Sequence, residues 1–316
     1  MEDKIRIGIA TCLLGEKVRY DGGHKYDPFL VETLGRLVEY VPVCPEYECG
    51  LGVPREALRL VGDPENPRLM TIRTGIDLTG QMKQWGRKRL KELEAERLCG
   101  YIFKSKSPSS GLTGIKVYNE KGVPSNQGMG LWARMFTGHF PELPVEDEGR
   151  LHDPALRENF IERIFVMKRW REMNAKGRSL GALVDFHTRH KLLVMSHSVE
   201  GYRRLGKLVA AGKGKPRKEL FAEYLKELSE ALKLMSTLRK NRNVLNHLLG
   251  YFKKELSADE KIELLEVIES YALGHVPLIV PVTLVSHYVR KYGQPYLEKQ
   301  YYLNPHPLEL KLRNHV

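Results

Sequence analysis

The chain has 316 residues, 42% hydrophobic and 28% charged, a make-up that fits one or two globular domains and excludes a disordered or fibrous chain. No apolar run approaches the roughly 20 residues of a membrane span, and the opening MEDKIRIGIATCLLG, acidic at its start, lacks the form of a signal peptide. The net charge of +12 is uneven, with 22 Lys/Arg against 21 Asp/Glu in residues 1–152 and 29 against 18 in residues 153–316. A cytoplasmic location is expected, where four cysteines read as thiols or metal ligands rather than disulfides.

In chain order, Ile5–Ala10 (IRIGIA) reads as a buried strand. Asp27–Pro28 has the form of an N-cap followed by proline at the first helical position, predicting a helix to about Leu37. Tyr40–Val43, Leu58–Val61 and Leu69–Ile72 are short strand candidates. From Thr79 to about Leu98, Met82, Trp85, Leu90 and Leu93 recur on a charged background, the mark of an amphipathic helix. Tyr101–Lys104 and Ile115–Tyr118 are further strands, and Leu131–Phe136 a helix. The alternation predicts an α/β, doubly wound, mostly parallel sheet as the N-terminal domain, residues 1–152.

Residues 153–316 predict an all-α C-terminal domain. Apolar residues fall at helical spacing through Leu156, Phe160, Ile164 and Met167, and again from Leu220 to Leu238 in a helix beginning near Lys218. Ser257 and Glu260 have the spacing of reciprocal capping, and Gly212–Pro216 (GKGKP) reads as a flexible connector. The basic excess suits contact with RNA or another polyanion, or equally a set of solvated helix faces. Tyr251, Tyr288, Tyr292, Tyr296, Tyr301 and Tyr302 interleave with Lys and Arg, which suits RNA stacking or ordinary helix packing. His187 and His190 share a helix face near Asp185; with no third metal ligand singled out, they are expected to be exposed or capping.

Ligands of open α/β sheets bind beyond the carboxyl ends of the strands. Three loops here come directly after a strand: Thr11-Cys12-Leu13 after IRIGIA, Cys44-Pro45-Glu46 after YVPV, and Ser105 to Gly111, containing SPSSG, after YIFK. Two thiols, a carboxylate and several hydroxyls are therefore expected at one sheet edge. Cysteines on separate strands lack the paired knuckles of a zinc ribbon, whereas iron–sulfur clusters accept thiolates from separate loops. A cluster held by three thiolates would keep one iron open, and Glu46 could serve as acid or base beside it. On pattern alone, Cys12 and Cys44 as small buried side chains are the favoured reading.

The stretches TCLLG (11–15), VRYDGGHK (18–25), VPVCPE (41–46), GLGVPRE (50–56) and KSKSPSSG (104–111) resemble the N-terminal domain of the thiouracil desulfidases, the TudS-like proteins. DFHTRHKLLVMSHS (185–198), PLIVPVTL (277–284) and YLNPHPLELKLRNHV (302–316) resemble the YbgA-like helical domain fused to it in longer members. The resemblance implies a 4Fe–4S cluster held by three cysteines, whose free iron takes sulfur from a small thiolated pyrimidine or its nucleotide while water supplies the replacing oxygen. It assigns Cys12 and Cys44 as ligands, Glu46 as the proton-transfer group and Ser107 as a residue lining the reaction site.

The third ligand position falls on Ser110, where the family has cysteine. A serine hydroxyl is a poor donor to a cluster built on soft sulfur. Three outcomes compete: Ser110 ligates as an alkoxide, Cys49 supplies the missing thiolate, or the cluster is absent and the chain binds thiolated nucleotides or RNA without catalysis. Arg19, Tyr20, Asp21 and His24 are candidates for shaping the pocket or binding ribose or phosphate, with turn chemistry around Gly22–Gly23 as the alternative. Lys104 could attract an anionic substrate, and Cys99 is expected in the core at the opposite sheet edge.

Overall fold

A computed structural model describes residues 4–315, so Met1–Asp3 of the opening stretch and Val316 of the closing motif lie outside the described residues. The chain divides into two units, Met1–His152 and Asp153–Val316. The strands of the first are β1 (Ile5–Ala10), β2 (Val38–Val43), β3 (Leu58–Val61), β4 (Arg68–Thr71), β5 (Gly100–Phe103), β6 (Ile115–Tyr118), β7 (Pro124–Gly128) and β8 (Val145–Asp147). Its helices are α1 (Thr79–Ala95) and α2 (Leu131–His139).

One sheet is wholly parallel, in the order β2-β1-β5-β8. Its inner strands are covered on both faces, which is why they read as unbroken apolar runs: Ile7, Ile9, Tyr101, Ile102 and Phe103 are all fully buried. Gly8 lets the Tyr101 ring lie on bare backbone, since a Cβ there would come within 2.2 Å of ring Cδ2. The ring packs against Phe103, Trp132 and Phe136, and Trp132 Nε1 donates to its hydroxyl at 3.1 Å. The order places β2 on one side of β1 and the later strands on the other. Beyond the carboxyl ends of β1 and β5 is thus the switch point where such sheets open a crevice.

The remaining strands depart from a single doubly wound sheet. They form a second, mixed sheet in the order β4-β3-β6-β7, parallel only between β3 and β6. The linker GDPENP between β3 and β4 is a turn, too short for a crossover to a parallel neighbour. This sheet buries Leu60, Leu69, Ile115 and Val117 against Met82 of α1 and Leu131 of α2. Asp27 does cap: its Oδ1 accepts from Leu30 N at 3.0 Å. The chain then makes a wide turn at Phe29–Thr33 and a tight one at Leu34–Arg36 in place of the expected regular helix.

The second unit is all-α among the described residues: α3 (Pro154–Ala175), α4 (Leu180–His197), α5 (Val199–Ala210), α6 (Arg217–Lys233), α7 (Leu238–Tyr251), α8 (Ala258–Ala272), α9 (Ile279–Lys291) and α10 (Pro295–Glu298). Asp153, Ser179, Ser198, Thr237 and Ser257 each accept a backbone N–H at a helix start. The Ser257/Glu260 capping box is complete in both directions. The expected long helix to Leu238 breaks at Leu234, and Thr237 begins α7. The GKGKP connector is a fixed turn. Gly212 is buried, a Cβ there would meet Leu180 Cδ1 at 2.7 Å, and its carbonyl accepts from Arg217 Nη1 at 2.7 Å. No helix among the described residues is long and apolar enough to cross a membrane.

The interleaved tyrosines are committed to packing. Tyr288 and Tyr292 donate to Glu263 and Glu260, Tyr302 donates to Asn241, and Tyr251 stacks on Tyr296 with ring centres 5.2 Å apart. His187 and His190 are buried rather than exposed. His187 Nδ1 lies 3.0 Å from the Tyr224 hydroxyl, and His190 Nδ1 lies 2.7 Å from the Phe186 carbonyl. Burial, then nearby Lys191, lowers the His187 pKa to about 4; burial, then Arg169, holds His190 well below its ordinary value. Both rings are neutral in the fold at pH values where the unfolded chain already binds a proton. Stability is therefore complete above about pH 6.5 and falls as pH drops toward 4, by about 3 kcal/mol for His187 alone. Thermal melts of the full chain at pH 7.5 and pH 5 read this loss directly. His187→Gln, which keeps an acceptor for Tyr224, flattens the dependence; an unchanged slope in that variant refutes the assignment.

Candidate active site

The site is built by the three loops that leave β1, β2 and β5. Beyond β1 the chain makes one tight turn, Thr11–Leu14, which presents Cys12 and closes at Gly15 with φ of 96°. The Cys12 carbonyl accepts from Lys25 N at 2.8 Å, holding the 18–25 loop beside the turn. Beyond β2, Glu48 closes the Cys44 loop twice: its Oε1 accepts from Cys44 N and its N–H donates to the Cys44 carbonyl, at 2.8 and 2.9 Å. Beyond β5, the Ser109 carbonyl accepts from Trp132 N at 2.8 Å and Ala133 N at 3.2 Å. The serine loop thereby occupies the free N–H groups at the start of α2. Gly130 permits this approach, because a Cβ there would stand 2.4 Å from the Ser109 carbonyl oxygen.

These loops surround a cavity of about 420 Å³ whose wall includes Cys12, Cys44, Glu46, Arg55, Ser107 and Ser110. Glu46 is the carboxylate of its wall. Its Oε1 accepts from Ser107 Oγ at 3.3 Å and from Ser109 Oγ, and the two hydroxyls are 2.9 Å apart. Its Oε2 lies 3.8 Å from Cys44 Sγ and 3.9 Å from Arg55 Nη2. Arg55 is in turn held by the Val18 and Gly52 carbonyls, at 2.9 and 3.0 Å. The carboxylate therefore has a fixed direction, with hydroxyls on one oxygen and a cation near the other. Burial first, and Glu46 second, push the Cys12 thiol up to about 11 and the Cys44 thiol up to about 12. Without a bound cation these thiols stay protonated, so they are poor nucleophiles by themselves.

Among the candidates, Cys12, Cys44, Glu46, Ser107, Ser110, Arg19, Tyr20 and Lys104 line this cavity. Cys49 does not. Its half-buried side chain packs on the Leu60–Leu131 cluster of the mixed sheet, and its Sγ donates to the Glu46 carbonyl at 3.4 Å. The turn Tyr47–Leu51 packs that side chain on the mixed-sheet cluster and not on the cavity, so of the three competing outcomes rescue by Cys49 has no support in this geometry. Asp21 and His24 are also outside the wall and do turn chemistry: Asp21 Oδ1 accepts from Gly23 N, and His24 Nδ1 from Tyr26 N. The Lys104 ammonium reaches the cavity wall already paired with Glu148 and bonded to Ser105. Cys99 is buried just before β5, at the other end of that strand. Arg55 and Ser109 were not singled out from sequence, although both lie inside the quoted motifs GLGVPRE and KSKSPSSG.

The donor set can be tested against an iron–sulfur cluster from its chemistry. Such clusters need soft thiolates, and a cationic centre deprotonates coordinating thiols. The wall offers two desolvated thiols and, at Ser110, a buried hydroxyl. The set fits a cluster with two sulfur positions and one oxygen position.

A parallel sheet whose switch point holds a cavity of thiols, hydroxyls and an oriented carboxylate defines an α/β protein built to do chemistry on a small molecule. Residues 7–148 match the family model described as 2-thiouracil desulfurase, and residues 191–307 match one described as a protein of unknown function, DUF1722. A relative, the uncharacterized protein YbgA of Escherichia coli (strain K12), is 31% identical over 158 residues, covering 50% of this chain and 94% of its own length. A solved structure described as a 4Fe–4S-dependent thiouracil desulfidase, TudS, is 29% identical, covers 49% of this chain and 97% of its own, and has a TM-score of 0.40. The chain belongs to the family of YbgA, and its first domain matches the 2-thiouracil desulfurase model.

Proposed function

We propose that this protein removes sulfur from a small thiolated pyrimidine or its nucleotide without net redox change, using an iron–sulfur cluster held by Cys12, Cys44 and Ser110. The balance is a hydrolysis: a C=S group and water give a C=O group and hydrogen sulfide. The observation that carries this reading is the convergence of two buried thiols, Ser110 and the Ser107/Ser109-held Glu46 on one cavity, in a domain that matches the 2-thiouracil desulfurase model.

A bound cluster would supply a Lewis-acidic iron that accepts the substrate's sulfur. Everything else falls to the chain. Glu46 takes the proton of the attacking water on Oε2, because Oε1 is engaged by Ser107 and Ser109. Arg55, 3.9 Å from Oε2, orients that oxygen and balances its charge before the proton arrives. The 420 Å³ cavity accommodates one pyrimidine ring with its sulfur toward the thiol wall.

The test is anaerobic reconstitution of the full chain, followed by iron analysis and incubation with 2-thiouracil and with 4-thiouridine monophosphate in ¹⁸O-labelled water. The expected result is about four irons per chain, sulfide release without added reductant, and ¹⁸O in the pyrimidine product. An iron-free protein that releases no sulfide overturns it. The hydroxyl at Ser110, in place of a thiol, favours a second reading, a cluster-free binder of thiolated nucleotides. That reading predicts saturable binding of the thiolated nucleotide with no sulfide formed.

A further inference from the structure

The second unit holds a cluster of buried ionisable groups that the desulfuration chemistry does not use. Glu158 and Glu162 lie one turn apart on α3, both buried. The C-terminal segment after α10 brings Arg313 and His306 against them. Buried Arg313 donates to Glu158 Oε1 at 3.3 Å, to Glu162 Oε1 at 2.9 Å and to the Tyr302 carbonyl at 2.6 Å. The other oxygen of Glu162 is 3.0 Å from His197 Nε2, and that of Glu158 is 3.5 Å from His315 Nε2. Each carboxylate is oriented from outside, yet each oxygen keeps a second lone pair.

His306 is the residue that these pairings leave unexplained. It is 7% exposed, and its Nδ1 lies 3.2 Å from the Pro307 carbonyl. A carbonyl can only accept, so Nδ1 carries the proton and Nε2 presents a lone pair. That Nε2 is buried and has no hydrogen-bond partner. The ligating atoms of Glu158, Glu162 and His306 all lie within 4.8 Å of one another. Arg313 offsets the charge of the two carboxylates, but no donor among the described residues answers the buried His306 Nε2 that stands beside them. Ligands about 2.0–2.2 Å from a zinc ion are themselves about 3–4 Å apart, a spacing that this triangle reaches by small side-chain movements.

We propose that Glu158, Glu162 and His306 bind a divalent transition-metal ion of the zinc type, which fastens the C-terminal segment to α3. One imidazole with two carboxylates suits Zn²⁺ or Mn²⁺ rather than the all-oxygen sites of Ca²⁺ or the thiolate sites of Cu⁺. His197 and Arg313 are the outer partners that hold the carboxylates in place. Burial of the three ligands marks a structural rather than a catalytic site.

The test uses the full chain carrying Cys12→Ala and Cys44→Ala, so that the two thiols of the first unit's cavity take up no metal. After removal of metal with a chelator, the protein is titrated with Co²⁺ as a spectroscopic probe and then with Zn²⁺. The expected result is one Co²⁺ per chain, visible d–d bands without thiolate charge transfer, displacement by Zn²⁺, and a higher thermal transition with metal. His306→Ala and, as a milder change, Glu158→Gln each weaken binding at least about tenfold. Absence of Co²⁺ uptake and of any thermal shift overturns the proposal. Uptake that both variants leave unchanged also overturns it, because the ion is then held elsewhere. Should His306→Ala fail to fold, Glu158→Gln alone decides.

Discussion

Glu46→Gln lowers kcat for sulfide release by about 10²–10⁴-fold while leaving iron content and thermal stability near those of the natural protein. Glutamine has the same shape, and its carbonyl oxygen can still accept from Ser109 Oγ and Ser107 Oγ as Glu46 Oε1 does. It cannot take a proton, and it places an NH₂ group where Oε2 faces Arg55 Nη2 at 3.9 Å. The loss therefore falls on turnover rather than on assembly of the loops. Ser109→Ala separates the two roles: it removes one hydrogen bond that aims the carboxylate but leaves the base in place, so kcat falls much less than in Glu46→Gln. Measuring kcat and KM for both variants, with iron per chain alongside, makes the comparison. Equal, small losses in the two would show that Glu46 only braces the serine loop.

How far the site could be read in advance depends on the physics of each part. The parallel strands β1, β2 and β5 are buried, so they appear as apolar runs, and the loop leaving each parallel strand lies at the carboxyl edge. That reasoning carried Cys12, Cys44, Glu46 and the serine loop to one cavity. Three strands of the mixed sheet were legible as short apolar runs, but their pairing into a second sheet was not, and β7, which reads PSNQG, has no hydrophobic period to detect. The direction of Cys49 was hidden for a different reason. Within one irregular turn the sequence does not say which way a side chain points, and packing on Leu60, Leu69 and Met82 sets it for Cys49. The burial of His187 depends on Tyr224, and that of Glu158 on Arg313, partners 37 and 155 residues away. Local pattern contains no trace of pairings at such separations.

Ser110 decides what kind of family member this chain is, and exchanging it gives the second large effect. Ser110→Cys adds a third thiol to the wall that already bears Cys12 and Cys44, and iron loss to an external chelator then slows by at least about tenfold, or 1.4 kcal/mol. The gain comes from replacing a hard, reluctantly ionised oxygen donor with a soft thiolate. Ser110→Ala has the opposite effect, because it deletes the donor from a position only 2% exposed, where water cannot readily take its place. Cys49→Ala changes nothing in this assay, since its Sγ is turned toward the Glu46 carbonyl and the mixed-sheet core. The ordering of chelator half-times, Cys variant longest and Ala variant shortest, is the measurement. If Ser110→Ala retains iron as long as the natural protein, the hydroxyl is not a ligand. If Ser110→Cys binds iron where the natural protein binds none, the natural chain has kept the pocket and lost the cluster, and the nucleotide-binding reading takes its place.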